Sequence, residues 1–87
     1  MPEVIEIPAK EELDRHFSAM GDSVDLINAI VAGQVNFTAE EKADCLDRNV
    51  RHLEIMKAKG WFDGYDMSAV DAAIAASAAY QAAQQAA

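Results

Sequence analysis

The stretch TAEEKADCLDRNVRHLEIMKAKG, residues 38–60, decides the fold. Ala39, Ala43, Leu46, Val50 and Leu53 recur three and four residues apart, the period of one helical face and not the alternation of a strand. Thr38 is suited to cap the first turn, and Glu41 stands three residues on, completing a capping box. Phe37, just ahead of the cap, has the alkyl stem of Lys42 as its staple partner. Asp44–Arg48 and Asp47–Arg51 are spaced i,i+4 with the acid first, the more favourable order. Lys57 and Lys59 fall where the helix dipole favours cations, and Gly60 stops the helix. A rod of this length must bury its Leu46/Val50/Leu53 side, and the flanking sequence offers mainly helical neighbours to bury it against.

Downstream, WFDGYDM (61–67) is a turn. Its Trp61, Phe62 and Tyr65 are large enough to plug one end of a core. Ser68 or Asp66 then caps another helix, whose face of Val70, Ala73, Ile74, Ser77 and Tyr80 is small enough for close approach to the 38–60 helix. The tail QAAQQAA (81–87) favours helix but has nothing to bury, so it is expected to fray. Upstream, Pro8 suits a first helical turn with Glu11 and Glu12 after it, and Ala9, Leu13, Phe17 and Met20 follow at helical spacing. Gly21 then offers a left-handed stop, so a separate short helix is expected from Val24 to Ala32, closed by Gly33. Residues 3–7, EVIEI, are β-branched and short, an extended arm that needs an edge or groove to lie on. The reading is one all-α domain over residues 1–87: a small three- to four-helix bundle with an antiparallel C-terminal helical hairpin and a short extended N-terminal arm.

Composition narrows the function. The 87 residues carry a net charge of −8, which disfavours nucleic-acid phosphates and anionic membranes. Charge is also uneven. Residues 1–33 hold seven acids against two bases, residues 34–60 five of each, and residues 61–87 three acids and no base. Any basic face therefore lies on the middle segment. The single cysteine, Cys45, excludes an intramolecular disulfide. The acidic start has no signal-peptide pattern, and no apolar run has the length of a membrane span.

Candidate chemistry is sparse. In GDSVDLINAI (21–30), Asp22-Ser23-Val24 resembles the Asp-Ser-Leu motif of acyl carrier proteins, whose serine carries a phosphopantetheine arm. The resemblance is confined to that stretch. The chain ahead of Ser23 is too short for that family's long first helix and loop, so Ser23 reads as the N-cap of the second helix. Glu12 and His16 share a helical face, but a structural metal site wants four ligands. Cys45 and His52 lie seven positions apart in the sequence. On a helix that places them about 10.5 Å apart, too far for direct contact. They read as a buried small cysteine and a partly exposed histidine. FDGYD lacks the spaced acids of a calcium loop. No catalytic residue, cofactor or metal is assigned.

Ile55 stands out instead. On a helical wheel it falls opposite the Leu46/Val50/Leu53 stripe, flanked by Arg48, Arg51, Lys59 and Asp44. This face, with the arm residues Val4, Ile5 and Ile7, is the candidate interaction surface. Pairing it with the acidic first half of a neighbouring copy would be a heterologous contact, which repeats into rings or arrays.

The run Asn49–Met56 (NVRHLEIM), followed by Trp61–Asp66 and Ala73–Tyr80, resembles the C-terminal half of small proteins of tailed bacteriophages. That resemblance implies a viral setting and no particular activity. The expected function is a non-catalytic interaction or assembly protein, a virion accessory or connector component whose partners are itself or other virion proteins, found in the virion or host cytoplasm. The alternatives are a small acidic regulator that binds and inhibits a host protein and, more distantly, an acyl carrier.

Overall fold

The computed structural model describes residues 6–86, the side chain of Ala86 apart. Three helices pack into a bundle: α1 (Lys10–Val31), α2 (Ala39–Ala58) and α3 (Ser68–Ala86). No strand occurs among the described residues. Helix α1 makes the broader contacts with each of the others, and α2 and α3 meet over a smaller area.

Helix α2 runs as its pattern implies. Thr38 Oγ1 accepts a hydrogen bond from the Glu41 amide at 3.1 Å, while Glu41 Oε1 accepts one from the Thr38 amide at 2.8 Å. Leu46 and Leu53 are fully buried and Val50 is half-buried, so the stripe turns inward. Phe37 is exposed and borders a shallow hollow with Glu41, Asp44 and Cys45. Gly60, just beyond the helix, has a φ of 70°. That is the left-handed conformation a C-terminal glycine supplies.

The four-helix alternative is corrected. Residues 10–31 form one helix, and Gly21 sits inside it on the solvent side with open space around its Cα. The reason is the stripe: Leu13, Met20, Val24, Ile27 and Ile30 are all buried, and their spacing runs through Gly21 without a phase break. A helical glycine costs only about 1 kcal/mol relative to alanine. Burying each apolar side chain of that stripe is worth about 1.5–3 kcal/mol, so continuity wins. Pro8 precedes the helix, and Ala9 occupies the N-cap position without a side-chain hydrogen bond. The true stop comes at Gly33, whose φ is 74°. There Gly33 N–H donates to the Ile30 carbonyl at 3.1 Å and Gln34 N–H to the Ala29 carbonyl at 2.9 Å. This is a Schellman closure.

At one end Phe62 is buried, with Phe17 and Tyr65 packed round it at centroid distances of 6.0 and 5.4 Å. Asp66 rather than Ser68 supplies the carboxylate that opens α3, accepting from the Ser68 amide at 3.0 Å and the Ser68 hydroxyl at 2.6 Å. Residues 81–86, expected to fray, continue α3 as helix. Most of the proposed arm, including Val4 and Ile5, lies outside the described residues. Ile7 has no regular secondary structure and is 60% exposed.

Candidate functional site

Ser23 is where the sequence posed its sharpest question, and its place differs from the expected one. It does not open a helix. It lies well inside α1, 7% exposed, with Met20 and Ile27 on the same face. Its Oγ sits 2.9 Å from Nδ1 of His52 on α2. A hydroxyl both donates and accepts, so this bond forms with either ring tautomer and with the imidazolium as well. The pair joins two helices and gives the buried Ser23 hydroxyl a partner in the half-buried His52 ring. Among the described residues no buried side-chain nitrogen or oxygen is left unpartnered.

Serine beside imidazole is also the start of a nucleophile–base pair. Here the hydroxyl points into the α1–α2 interface, and neither residue lines the hollow at Phe37 or the concavities between α2 and α3 described below. Ser23→Ala should lower stability by about 1 kcal/mol, and a double-mutant cycle with His52→Ala should return a coupling of about the same size. Chemical denaturation of the four proteins measures it, and zero coupling would remove the hydrogen bond from the account.

The other candidate ligands do not converge. His16 Nε2 is 3.9 Å from Glu12 Oε1, and its ring lies against Trp61 at 5.6 Å. Cys45 is half-buried, and its Sγ accepts from Asn49 Nδ2 at 3.6 Å while His52 is engaged with Ser23. No cluster of three or more His, Cys, Asp or Glu side chains able to hold a metal ion occurs among the described residues. None of the helices described is long and apolar enough to cross a membrane.

The interaction surface read from sequence falls as follows. Ile55 is 53% exposed on the outer side of α2. Arg48 and Arg51 are engaged within that helix, with Asp44 at 3.1 Å and Asp47 at 2.9 Å. Lys59 Nζ lies over the Trp61 ring, 4.8 Å from its centroid. The face is thus an apolar spot framed by internally neutralised charges. Ile7 is also exposed.

Sequence reasoning missed a polar tie and a groove. Asp14 accepts from the Tyr65 hydroxyl at 2.6 Å and from Lys10 Nζ at 3.0 Å, tying α1 to the 61–67 turn. The Tyr65 hydrogen bond, then that of Lys10, holds the Asp14 carboxyl below the usual carboxylate range. The stabilisation is therefore present at neutral pH and is lost as pH falls through that lowered value. The groove lies between α2 and α3. One concavity of about 300 Å³ is bounded by Ala39–Asp47 residues and by Tyr80–Gln85 residues; a second of about 300 Å³ adjoins it, reaching Glu54 and Ile74.

The positions that carry the bacteriophage resemblance are mostly packing positions: Leu53, Met56, Phe62 and Ala73 are buried, and His52 holds Ser23. They support the bundle and leave the chemistry of the surface open. No family model matches the chain, and neither a curated protein nor a solved structure matches it.

Proposed function

We propose that the chain is a non-catalytic interaction protein, an accessory or connector component of a bacteriophage particle that docks on another virion protein through the outer face of α2. The observation that carries this reading is Ile55, a large apolar side chain left more than half exposed in a chain small enough to need its apolar residues for the core. Arg48 and Arg51 are paired within α2, so contact there gains from burying Ile55 with little charge to desolvate unpaired. The viral setting rests on the resemblance of residues 49–80. The finer topology, an antiparallel α2–α3 hairpin, is supported by two contacts. The end of α2 meets the start of α3 through the Lys57–Asp71 ion pair, and the start of α2 shares a groove with Tyr80–Gln85 residues.

Mass spectrometry of purified particles tests the reading. The chain should be present in many copies per particle, and Ile55→Glu with Arg51→Glu should keep wild-type helicity and lose incorporation. Absence from particles would overturn the virion role. It would favour the acidic regulator, for which Glu11, Asp22 and Asp25, exposed on α1, offer a negative surface to a basic partner.

A further inference from the structure

Two polar side chains are buried among the described residues, Ser23 and Ser77. Ser23 has His52 as its partner. Ser77, 2% exposed, has no hydrogen-bond partner for its hydroxyl among the described side chains and lines the second concavity between α2 and α3. No fully buried side-chain oxygen there lacks a partner, so the part of Ser77 that stays accessible is its hydroxyl, and it faces that concavity. Half-buried Val50 and Ile74 supply apolar walls on either side. Asp47 and Glu54 stand on the α2 rim, and no lining residue carries a positive charge. Glu54 has no ion-pair partner among the described residues, and Asp47 gives only Oδ2 to Arg51, at 2.9 Å.

The spacing of these groups is regular. Asp47 and Glu54 are seven positions apart, two turns on one flank of α2. That is about 10.5 Å along the axis. In the antiparallel register marked by the Lys57–Asp71 pair, Ser77 lies six positions after Asp71 and so faces the level of Arg51, six before Lys57. That level is midway between the two carboxylates.

We propose that this concavity is a binding site for a linear aliphatic triamine. Its terminal ammonium groups meet Asp47 and Glu54, its central amine donates to the Ser77 hydroxyl, and its methylenes lie along Val50 and Ile74. The argument is charge complementarity at a matching spacing. An ammonium has only donors to offer, and carboxylates and a hydroxyl are the acceptors it needs. Two carboxylates this far apart cannot share one metal ion, whose oxygen ligands lie within about 2.6 Å of it. An anion would be repelled by both. A triamine with three-carbon arms extends to about 10 Å between its terminal nitrogens, close to the separation of the acids. The site lies on a different side of α2 from Ile55, so this inference and the docking reading fail separately.

The test is a titration of the full, nitrogen-15-labelled chain with bis(3-aminopropyl)amine at low salt, followed by amide shifts. Saturable shifts should be confined to the neighbourhoods of residues 47–54 and 74–81, with a Kd of about 1 mM or tighter. The comparison probe is 1,7-diaminoheptane, which has the same length and terminal ammonium groups but a methylene in place of the central nitrogen. It should bind several-fold more weakly to the wild type, and Ser77→Ala should shrink that difference. Glu54→Gln should weaken both probes about threefold. Ala78→Lys, at an exposed rim position, should abolish binding of both and carries the test if Ser77→Ala fails to fold. Asp22→Asn, exposed on α1, should change nothing. The inference is overturned if no saturable shift appears in the millimolar range, or if the shifts spread equally to the acidic positions of α1, as loose counterion association would give. It is also overturned if Glu54→Gln and Ala78→Lys leave the affinity unchanged, or if folded Ser77→Ala keeps the full preference for the triamine.

Discussion

Leu53→Ala should destabilise the protein by about 2–5 kcal/mol, while Ile55→Ala, two residues along the same helix, should change it by no more than about 0.5 kcal/mol. Leu53 is fully buried among core residues of the bundle, so truncation removes its transfer energy and leaves a cavity. Ile55 keeps more than half its surface in water when the chain folds and loses little on truncation. Small domains are only marginally stable, by about 5–15 kcal/mol, so the first substitution takes a large share of the total and the second almost none. Urea titrations of the two variants give the comparison. Equal losses, or a larger one at Ile55, would mean that α2 presents a different side to the core and that both proposed surfaces are misplaced.

Gly21→Pro should cost about 3 kcal/mol or more. At this position proline removes a backbone N–H from the middle of α1 and drives its ring into the preceding turn. The damage spreads because α1 packs on both other helices, with Met20 and Val24 buried on either side of the substituted position. Were residue 21 instead a left-handed stop between two short helices, proline would be strained there as well, but it would interrupt no helix and the native helicity would be kept. Far-ultraviolet circular dichroism with thermal unfolding separates the cases: a strongly lowered midpoint with lost helicity is expected, and unchanged helicity would contradict a single α1.

How legible the fold is in the sequence depends on how local its signals are. Helix α2 is readable almost to the residue because its capping box, its ion pairs and its terminal glycine all lie within a turn of the positions they control. Helix α1 reads as two because Gly21 and Ser23 are local signals of a stop and a start, each worth about 1 kcal/mol. Against them stands a buried stripe whose weight shows only when its phase is followed through both. The Ser23–His52 bond joins positions 29 apart in the chain and leaves no local mark. Its trace is indirect: Ser23 stands three residues after Met20 and four before Ile27, a polar side chain at an apolar register position, and such a residue asks for a partner on a facing helix. The groove is invisible in the sequence for a similar reason. Its walls come from residues 39–54 and 74–85, and its width reflects how far α2 and α3 stand apart, which no spacing within either helix encodes. Ile55 needs only the helical wheel, so its exposure can be read directly.

The account rests on α1 as one uninterrupted helix that both α2 and α3 pack against. Gly21→Ala tests this most directly, because the sign of the effect differs between the two architectures. On the face of α1 that holds Gly21, an added Cβ meets open space. Within a continuous helix alanine should therefore raise stability by about 0.5–1 kcal/mol and lift the melting midpoint. If Gly21 instead closed a first helix in the left-handed conformation, alanine would be strained there and the midpoint would fall.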